Sequence, residues 1–343
     1  MSSDSKVCAS STDDHYMVSP LWDLVFIINA PWVLVAVGHL LFLKGEFPDV
    51  TDFRYLYLTL PHRFVTLALV YLDRDTFATR PVTFVGLPLV FVGVVLTGQF
   101  LGAGLVSGTN TILCLLTVDY IWNAYHFGSQ HYGVTRIYGR KADSGHPRLE
   151  RAVVVGAVTW GLLRAPNWTL VDGPAAVLFV ALDVVTVLGL LTLIVIELKA
   201  GVSSVPKLCY LTSVTCLYGG IIICPYVELR GLRQGLLAAT GFFHAVEYLA
   251  IVHFYVKGKL GRGGFRSGPF RVVAPIWSQA LLVFALGVGT LVLFSRQNLP
   301  PGTFLPVLAV ASFCHYAFDG MIWKLRKPAV SQALGADGAS AVS

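Results

Sequence analysis

Four histidines of this sequence lie in the middle of long apolar segments: His62, His126, His244 and His315. An imidazole or a charge inside a membrane is costly unless it has a partner, so each of these positions indicates a function or a specific contact. Imidazoles with about one carboxylate, and without a series of thiolates, are ligands that suit iron, zinc or copper. We therefore predict a shared buried metal site formed by these four histidines, with iron as the first choice and zinc or copper as alternatives.

The sequence around His126 carries a polar stripe. Asp119, Asn123, His126 and Gln130 are spaced four, three and four residues apart, which places them on one face of a helix. Such a stripe cannot face lipid and must face the interior of a helical bundle. We expect Asn123 and Gln130 to orient a bound water or substrate there. His131 is about 100° round the helix from Gln130 and is expected at the membrane interface.

The two later histidines have carboxylates at helical spacing. Glu247 follows His244 by three residues, and Asp319 follows His315 by four. This spacing lets a carboxylate bind beside an imidazole or orient an imidazole of a neighbouring helix. Glu247 and Asp319 are therefore predicted as further metal ligands or as groups that orient the ligands. Tyr248, four residues after His244, is predicted to donate a hydrogen bond in the site.

The composition indicates lipid as the surrounding solvent. The 343 residues are 55% hydrophobic and 13% charged, whereas a soluble domain is about 25% charged. A helix needs about 20 apolar residues to cross a bilayer. By that measure the chain is an all-α, polytopic transmembrane bundle with about ten spans. The predicted spans are 20–43, 54–73, 82–101, 109–133, 150–164, 174–197, 207–226, 234–256, 275–295 and 303–325.

The basic residues predict the orientation of these spans. Of the 25 Lys and Arg residues, 18 fall on the side that carries both termini, six fall on the other side, and Arg63 lies within a span. The positive-inside rule then places both termini in the cytoplasm. It also accounts for the net charge of +6 without a nucleic-acid partner. We expect a cytoplasmic segment over 1–19, a transmembrane domain over 20–326 and a disordered cytoplasmic tail over 327–343.

The even-numbered spans carry the four histidines, so all four run in the same direction and can present imidazoles near one depth. Several short motifs in these spans resemble a known family. It is the Brp/Blh family of membrane-bound β-carotene 15,15'-dioxygenases. The resemblance implies non-haem iron held by histidines from several helices. The motifs are Leu60-Pro61-His62, Tyr125-His126-Phe127-Gly128 and Phe243-His244 with Glu247, followed by a late histidine.

From these features we expect a metal-dependent membrane oxidoreductase, a non-haem iron oxygenase that acts on an isoprenoid or another lipophilic small molecule. Two alternatives remain open. Ionisable groups at mid-depth also form the relays of proton-coupled transporters, and two of the histidines could be the axial ligands of a haem. The HxxxH and HxxHH spacings of diiron desaturases are absent, because His126 and His131 are five residues apart.

Overall fold

The computed structural model describes residues 15–42, 53–104, 109–165, 174–202, 204–265, 267–299 and 304–337. Within these ranges every regular element is helical, and there are no strands. The helices are α1 (Pro20–Phe26), α2 (Trp32–Phe42), α3 (Leu60–Leu72), α4 (Arg74–Ala78), α5 (Pro81–Gly104), α6 (Thr109–Lys141), α7 (Pro147–Leu163), α8 (Pro174–Lys199), α9 (Val205–Val214), α10 (Gly220–Ile223), α11 (Arg230–Gly261), α12 (Phe270–Val273), α13 (Trp277–Asn298), α14 (Leu305–Ile322) and α15 (Pro328–Ala333).

Six helical segments of the described chain are long and apolar enough to cross a bilayer. Large apolar side chains such as Leu89 on α5, Val177 on α8 and Val283 on α13 are exposed on their surfaces. Apolar surface of this extent suits contact with lipid rather than water. The protein is thus an all-helical chain built for a lipid bilayer, and the expected count of ten spans is not confirmed. The six segments are Pro81–Gln99, Ala176–Lys199, Val205–Ile223, Arg230–Gly261, Phe270–Asn298 and Leu305–Ile322.

The first predicted span is not one continuous helix. Asn29 adopts a left-handed backbone conformation with a φ of 56°, and Pro31 follows it, so the chain turns between α1 and α2. The carboxylate of Asp23 in α1 accepts hydrogen bonds from the backbone N–H groups of Met17 and Val18. The prediction of an uninterrupted helix over 20–43 is therefore wrong, because the break is set by local backbone geometry that an apolar pattern does not reveal.

Close helix contacts are made at glycines. On α6, a side chain at Gly128 would come within 2.8 Å of the Val155 carbonyl oxygen of α7. On α11, a side chain at Gly235 would collide with the Ala36 backbone of α2. Small residues allow helix backbones to approach in this way inside membranes. Helix α14 packs against α3 and α6, and α11 packs against the same two helices, so these four surround a common interior.

The C-terminal tail differs from the expected disorder. Residues Pro328–Ala333 form α15, which packs against α11, and Val330, Ala333 and Leu334 are buried. A side chain at Gly258 of α11 would collide with the Ala333 backbone. The small residues that suggested a disordered tail thus permit close packing instead. Residues 338–343, like most of the predicted N-terminal segment, lie outside the described ranges.

Candidate metal centre

The four predicted histidines meet in the interior that α3, α6, α11 and α14 surround. Each imidazole contacts two others edge to face, with ring centroids 4.9 Å apart for His62–His244 and His62–His315. The corresponding distances are 5.0 Å for His126–His244 and 4.6 Å for His126–His315. All four residues are at most 7% exposed. One imidazole from each helix therefore contributes to a closed ring of four, which we call the histidine ring.

The position and tautomer of His62 are set by its own helix. A π-helical turn over Tyr55–Thr59 precedes α3, and Pro61 cannot donate a backbone hydrogen bond to the preceding turn. His62 Nδ1 is hydrogen-bonded to the backbone carbonyl oxygen of Thr59. Because a carbonyl only accepts, Nδ1 carries the proton, and the lone pair of His62 lies on Nε2.

Thr66 connects three groups of the site. Its Oγ1 lies 2.6 Å from His315 Nδ1 and donates to Asp319 Oδ1 at 2.9 Å. It also contacts the Tyr248 hydroxyl, whose own hydrogen is donated to Asp319. With its hydrogen given to Asp319, the threonine oxygen accepts from His315 Nδ1. The lone pair of His315 is therefore on Nε2, which has no hydrogen-bond partner among the described residues. Sequence reasoning missed Thr66, although its spacing of four residues from His62 places both on one helical face.

Asp319 presents one free carboxylate oxygen to the ring. Its Oδ1 accepts from Thr66, from the Tyr248 hydroxyl at 3.0 Å and from Trp323 Nε1 at 3.1 Å. Its Oδ2 faces His126 Nε2 at 3.8 Å and His315 Nδ1 at 3.7 Å. Asp319 and Tyr248, both predicted as site residues, therefore contact the histidine ring directly.

The histidine ring offers two groups of potential ligand atoms. Within each group, all the atoms lie within 4.8 Å of one another. One group joins His62, His244 and His315, and the other joins His126, His315 and Asp319. Nitrogen ligands bind zinc at about 2.1 Å, so two ligands of one ion are at most about 4.2 Å apart. The 4.8 Å bound exceeds that limit by about 0.6 Å. Side-chain adjustments of that size would let the histidine ring hold an ion.

Glu247 lies outside the ring. Its Oε1 accepts from the Tyr210 hydroxyl at 2.5 Å, and its Oε2 accepts from Gln130 Nε2 at 2.5 Å. The same Gln130 nitrogen donates to the backbone oxygen of His244 at 3.1 Å. Both acceptors fix the orientation of the Gln130 amide, whose Oε1 is buried without a partner in the described chain. Glu247 therefore positions Gln130 and the His244 backbone, and it supplies no atom to either ligand group.

His131, which was predicted to lie at the membrane interface, is fully buried inside the protein. Its Nδ1 is 2.6 Å from the Tyr210 hydroxyl, and its Nε2 is 3.0 Å from the Tyr218 hydroxyl. The two tyrosines come from α9 and the π-helical turn after it. They were not singled out from the sequence, because isolated tyrosines in apolar spans carry no spacing signal.

Asn123 acts through a tyrosine rather than at the ring itself. The Tyr316 hydroxyl donates to Asn123 Oδ1 at 3.0 Å and lies 3.3 Å from Asp119 Oδ1. The Tyr316 ring lies 5.1 Å from that of His126. Arg63 donates to Ser312 at 2.6 Å on the same side of the site. The polar stripe on α6 therefore continues into contacts with α14.

An apolar cavity of about 220 Å³ opens beside the ring. His126, Gln130, Tyr248 and Asp319 form part of its wall, so the site and the cavity share side chains. Aromatic residues on α6 and α14 and apolar residues near α15 form the rest. Cavities of this kind, lined mainly by apolar groups with a few polar ones, are typical ligand sites.

We find no protein family, curated protein or solved structure that matches this chain. The functional argument therefore rests on the geometry of the histidine ring, its hydrogen-bond partners and the adjoining cavity.

Proposed function

We propose that this chain is an integral-membrane metalloenzyme, a non-haem iron oxygenase acting on a lipophilic substrate. Its ligands are His62, His126, His244 and His315, with Asp319 Oδ2 as a further ligand or as the group that orients them. The motifs similar to the Brp/Blh family contribute three of these histidines, which supports iron as the metal. Gln130 Oε1 is available to accept a hydrogen bond from bound water or substrate.

A comparison of two buried histidines carries the proposal. The ordinary role of a membrane histidine is an interhelical hydrogen bond, and His131 fills that role with both ring nitrogens bonded to tyrosines. His244 is equally buried, yet neither of its ring nitrogens has a hydrogen-bond partner in the described chain. Its ring stacks on Phe127 at 3.7 Å, which fixes the imidazole plane. A metal ion accounts for the lone-pair nitrogen of such a histidine, whereas no structural hydrogen bond does.

The surroundings of the ring suit a single ion better than a haem. The imidazoles of neighbouring helices touch edge to face, and a porphyrin between two axial ligands would have to separate them. Histidine-bound iron supplies dioxygen chemistry when it is present. The chain holds His62 and His315 in fixed tautomers through Thr59 and Thr66, and its apolar walls exclude water.

The first test is the metal content and optical spectrum of the purified protein. We expect stoichiometric iron without the Soret band of a haem. His244→Ala should lose the metal, and His131→Ala, an equally buried control, should retain it. If the wild-type protein contains no stoichiometric transition metal, and if His126→Ala leaves its properties unchanged, the proposal is wrong.

We also propose ten membrane crossings, the first of them broken at Asn29, with both termini in the cytoplasm. The π-helical turn Tyr55–Thr59 continues directly into α3 (Leu60–Leu72), and α6 and α7 have 33 and 17 residues. Inward-facing polar groups such as His62 and Asp119 lower the mean hydropathy of α3 and α6 without preventing them from spanning. Accessibility of single cysteines placed in each loop to a membrane-impermeant reagent tests this topology. Labelling of the two termini from opposite sides would contradict it.

A proton-coupled transporter is the second candidate, and one observation favours it. His131, Tyr210, Glu247 and Gln130 form a continuous buried hydrogen-bond network beside the ring. Networks of this kind can relay protons through a membrane. A relay tolerates His→Gln at some positions, whereas a ligand site does not. Retained function in His244→Gln would therefore favour the transporter over the oxygenase.

A further inference from the structure

We propose that the cavity beside the histidine ring binds one extended apolar chain of the substrate. The chain enters sideways from the bilayer between α6 and α14, and Gly133 and Gly320 set the width of its path. This inference rests on the proposed function, because the ring gives the cavity its reactive end. It adds the shape of the substrate, its route of entry and two residues that determine specificity.

The residues that line the cavity follow α6 from Trp122 to Ile137. Its wall includes His126 near one end and Ile137 near the other. These residues are 11 positions apart, which corresponds to about 16 Å along a helix axis. Near Ile137 the wall is apolar and contains Val330 and Leu334, which lie in or directly after α15. A long apolar chain therefore fits with its reacting part at His126 and its tail towards α15.

Two glycines keep this path open. A side-chain carbon built at Gly133 of α6 or at Gly320 of α14 meets no other atom within 4 Å, although both residues line the cavity. Gly128 on α6 differs, because a side chain there would meet the α7 backbone at 2.8 Å. Gly128 thus serves helix packing, whereas larger residues at 133 or 320 would extend into open space at the cavity.

The cavity reaches the outer surface of the protein. Tyr125 on α6 lines it and is 46% exposed, and Gly320 on α14 is also exposed. An apolar compound is dissolved in the bilayer, so an opening between two membrane helices lets it enter without crossing water. Polar wall groups are concentrated near the ring, at Ser129 and Gln130. The substrate class is therefore a membrane-soluble lipid with about 16 Å of extended apolar chain.

Photolabelling tests this assignment without relying on enzymatic activity. The wild-type protein and the variants Gly133→Phe, Gly320→Phe and Gly93→Phe are reconstituted in phosphatidylcholine vesicles and irradiated with octadecanol that carries a diazirine near the end of its chain. Gly93 is the matched control, since it is exposed on α5 and a side chain there also meets nothing within 4 Å. Labelled residues are located by peptide mass spectrometry, and iron is measured in the same samples.

We expect labelling of the Ser129–Ile137 stretch in the wild type and in Gly93→Phe. Labelling there should fall by about tenfold or more in Gly133→Phe and Gly320→Phe, as for an apolar pocket that has been filled. Retained iron in those two variants would show that the ring is intact and that only the chain site is blocked. Equal labelling of this stretch in all four proteins would overturn the inference. Protein that contains no iron but shows the glycine-dependent pattern would contradict the proposed function and support the chain site.

Discussion

Replacing Thr66 with valine removes one hydroxyl from the centre of the site and keeps the shape of the side chain. In the wild type this hydroxyl accepts from His315 Nδ1, donates to Asp319 Oδ1 and contacts the Tyr248 hydroxyl. Tyr248 and Asp319 keep their mutual hydrogen bond of 3.0 Å in the variant. His315 loses the group that fixes its tautomer. The substitution therefore acts mainly on one imidazole of the histidine ring.

The magnitude follows from the role of such partners in metal sites. Removing the group that orients a ligating histidine lowers metal affinity by about 10–100-fold. That loss corresponds to about 1.4–2.7 kcal/mol, at about 1.4 kcal/mol for each factor of ten. Leaving the buried Nδ1–H of His315 without an acceptor costs about 1–3 kcal/mol. The two ranges agree, so we expect Thr66→Val to bind iron about 10–100-fold more weakly than the wild type.

The assay is a competition for iron between the purified protein and a chelator of known affinity. Thr66→Ser is the matched control, because it keeps the hydroxyl and loses only a methyl group, and it should bind iron nearly as tightly as the wild type. If Thr66→Val binds as tightly as Thr66→Ser, the hydroxyl does not orient a ligand, and the assignment of His315 Nε2 as a metal ligand loses its support.

Two further predictions concern the carboxylates and the helix packing. Asp319→Ala should reduce iron binding by about tenfold or more. Glu247→Gln should retain the metal, because Glu247 supplies no atom to either ligand group. A lower iron content in Glu247→Gln than in Asp319→Ala would instead assign the ligand role to Glu247. Gly235→Leu should destabilise the protein by about 1–3 kcal/mol or more, because the side chain collides with the α2 backbone. Gly93→Leu should be nearly neutral in the same thermal unfolding assay, and an equal loss in both variants would refute the packing argument.

The contact between the four histidines could be predicted because the thickness of a bilayer fixes the length of each spanning helix. Predicted spans that run in the same direction should place residues at similar positions along the span at a similar depth, and His62, His126, His244 and His315 each lie towards the middle of such a predicted span. The pairing of Asp319 with His315 followed from helical spacing alone. These features depend on the helical repeat and on the lengths of the apolar segments, which can both be measured in the sequence.

Other features depend on contacts between helices, which no single span encodes. Glu247 has the same kind of spacing from His244 as Asp319 has from His315, yet its oxygens are taken by Tyr210 and Gln130. His131 has no such spacing signal, yet it is fully buried between Tyr210 and Tyr218. Which carboxylate reaches the ring is thus decided by helix rotation, and that rotation is fixed by packing partners.

The histidine ring leaves several buried nitrogens without hydrogen bonds, and this absence reduces the stability of the folded protein. Four ring nitrogens, at His126 Nε2, at His244 Nδ1 and Nε2, and at His315 Nε2, are buried without hydrogen-bond partners in the described chain. At about 1–3 kcal/mol for each unpaired group, their burial costs on the order of 4–12 kcal/mol. This is comparable to the whole stability of a folded domain, about 5–15 kcal/mol. Three of these nitrogens, one on each imidazole, carry a lone pair that a bound ion can take, whereas the fourth is the N–H of His244. An ion would offset the cost of those three, so metal binding and folding should be coupled in this protein.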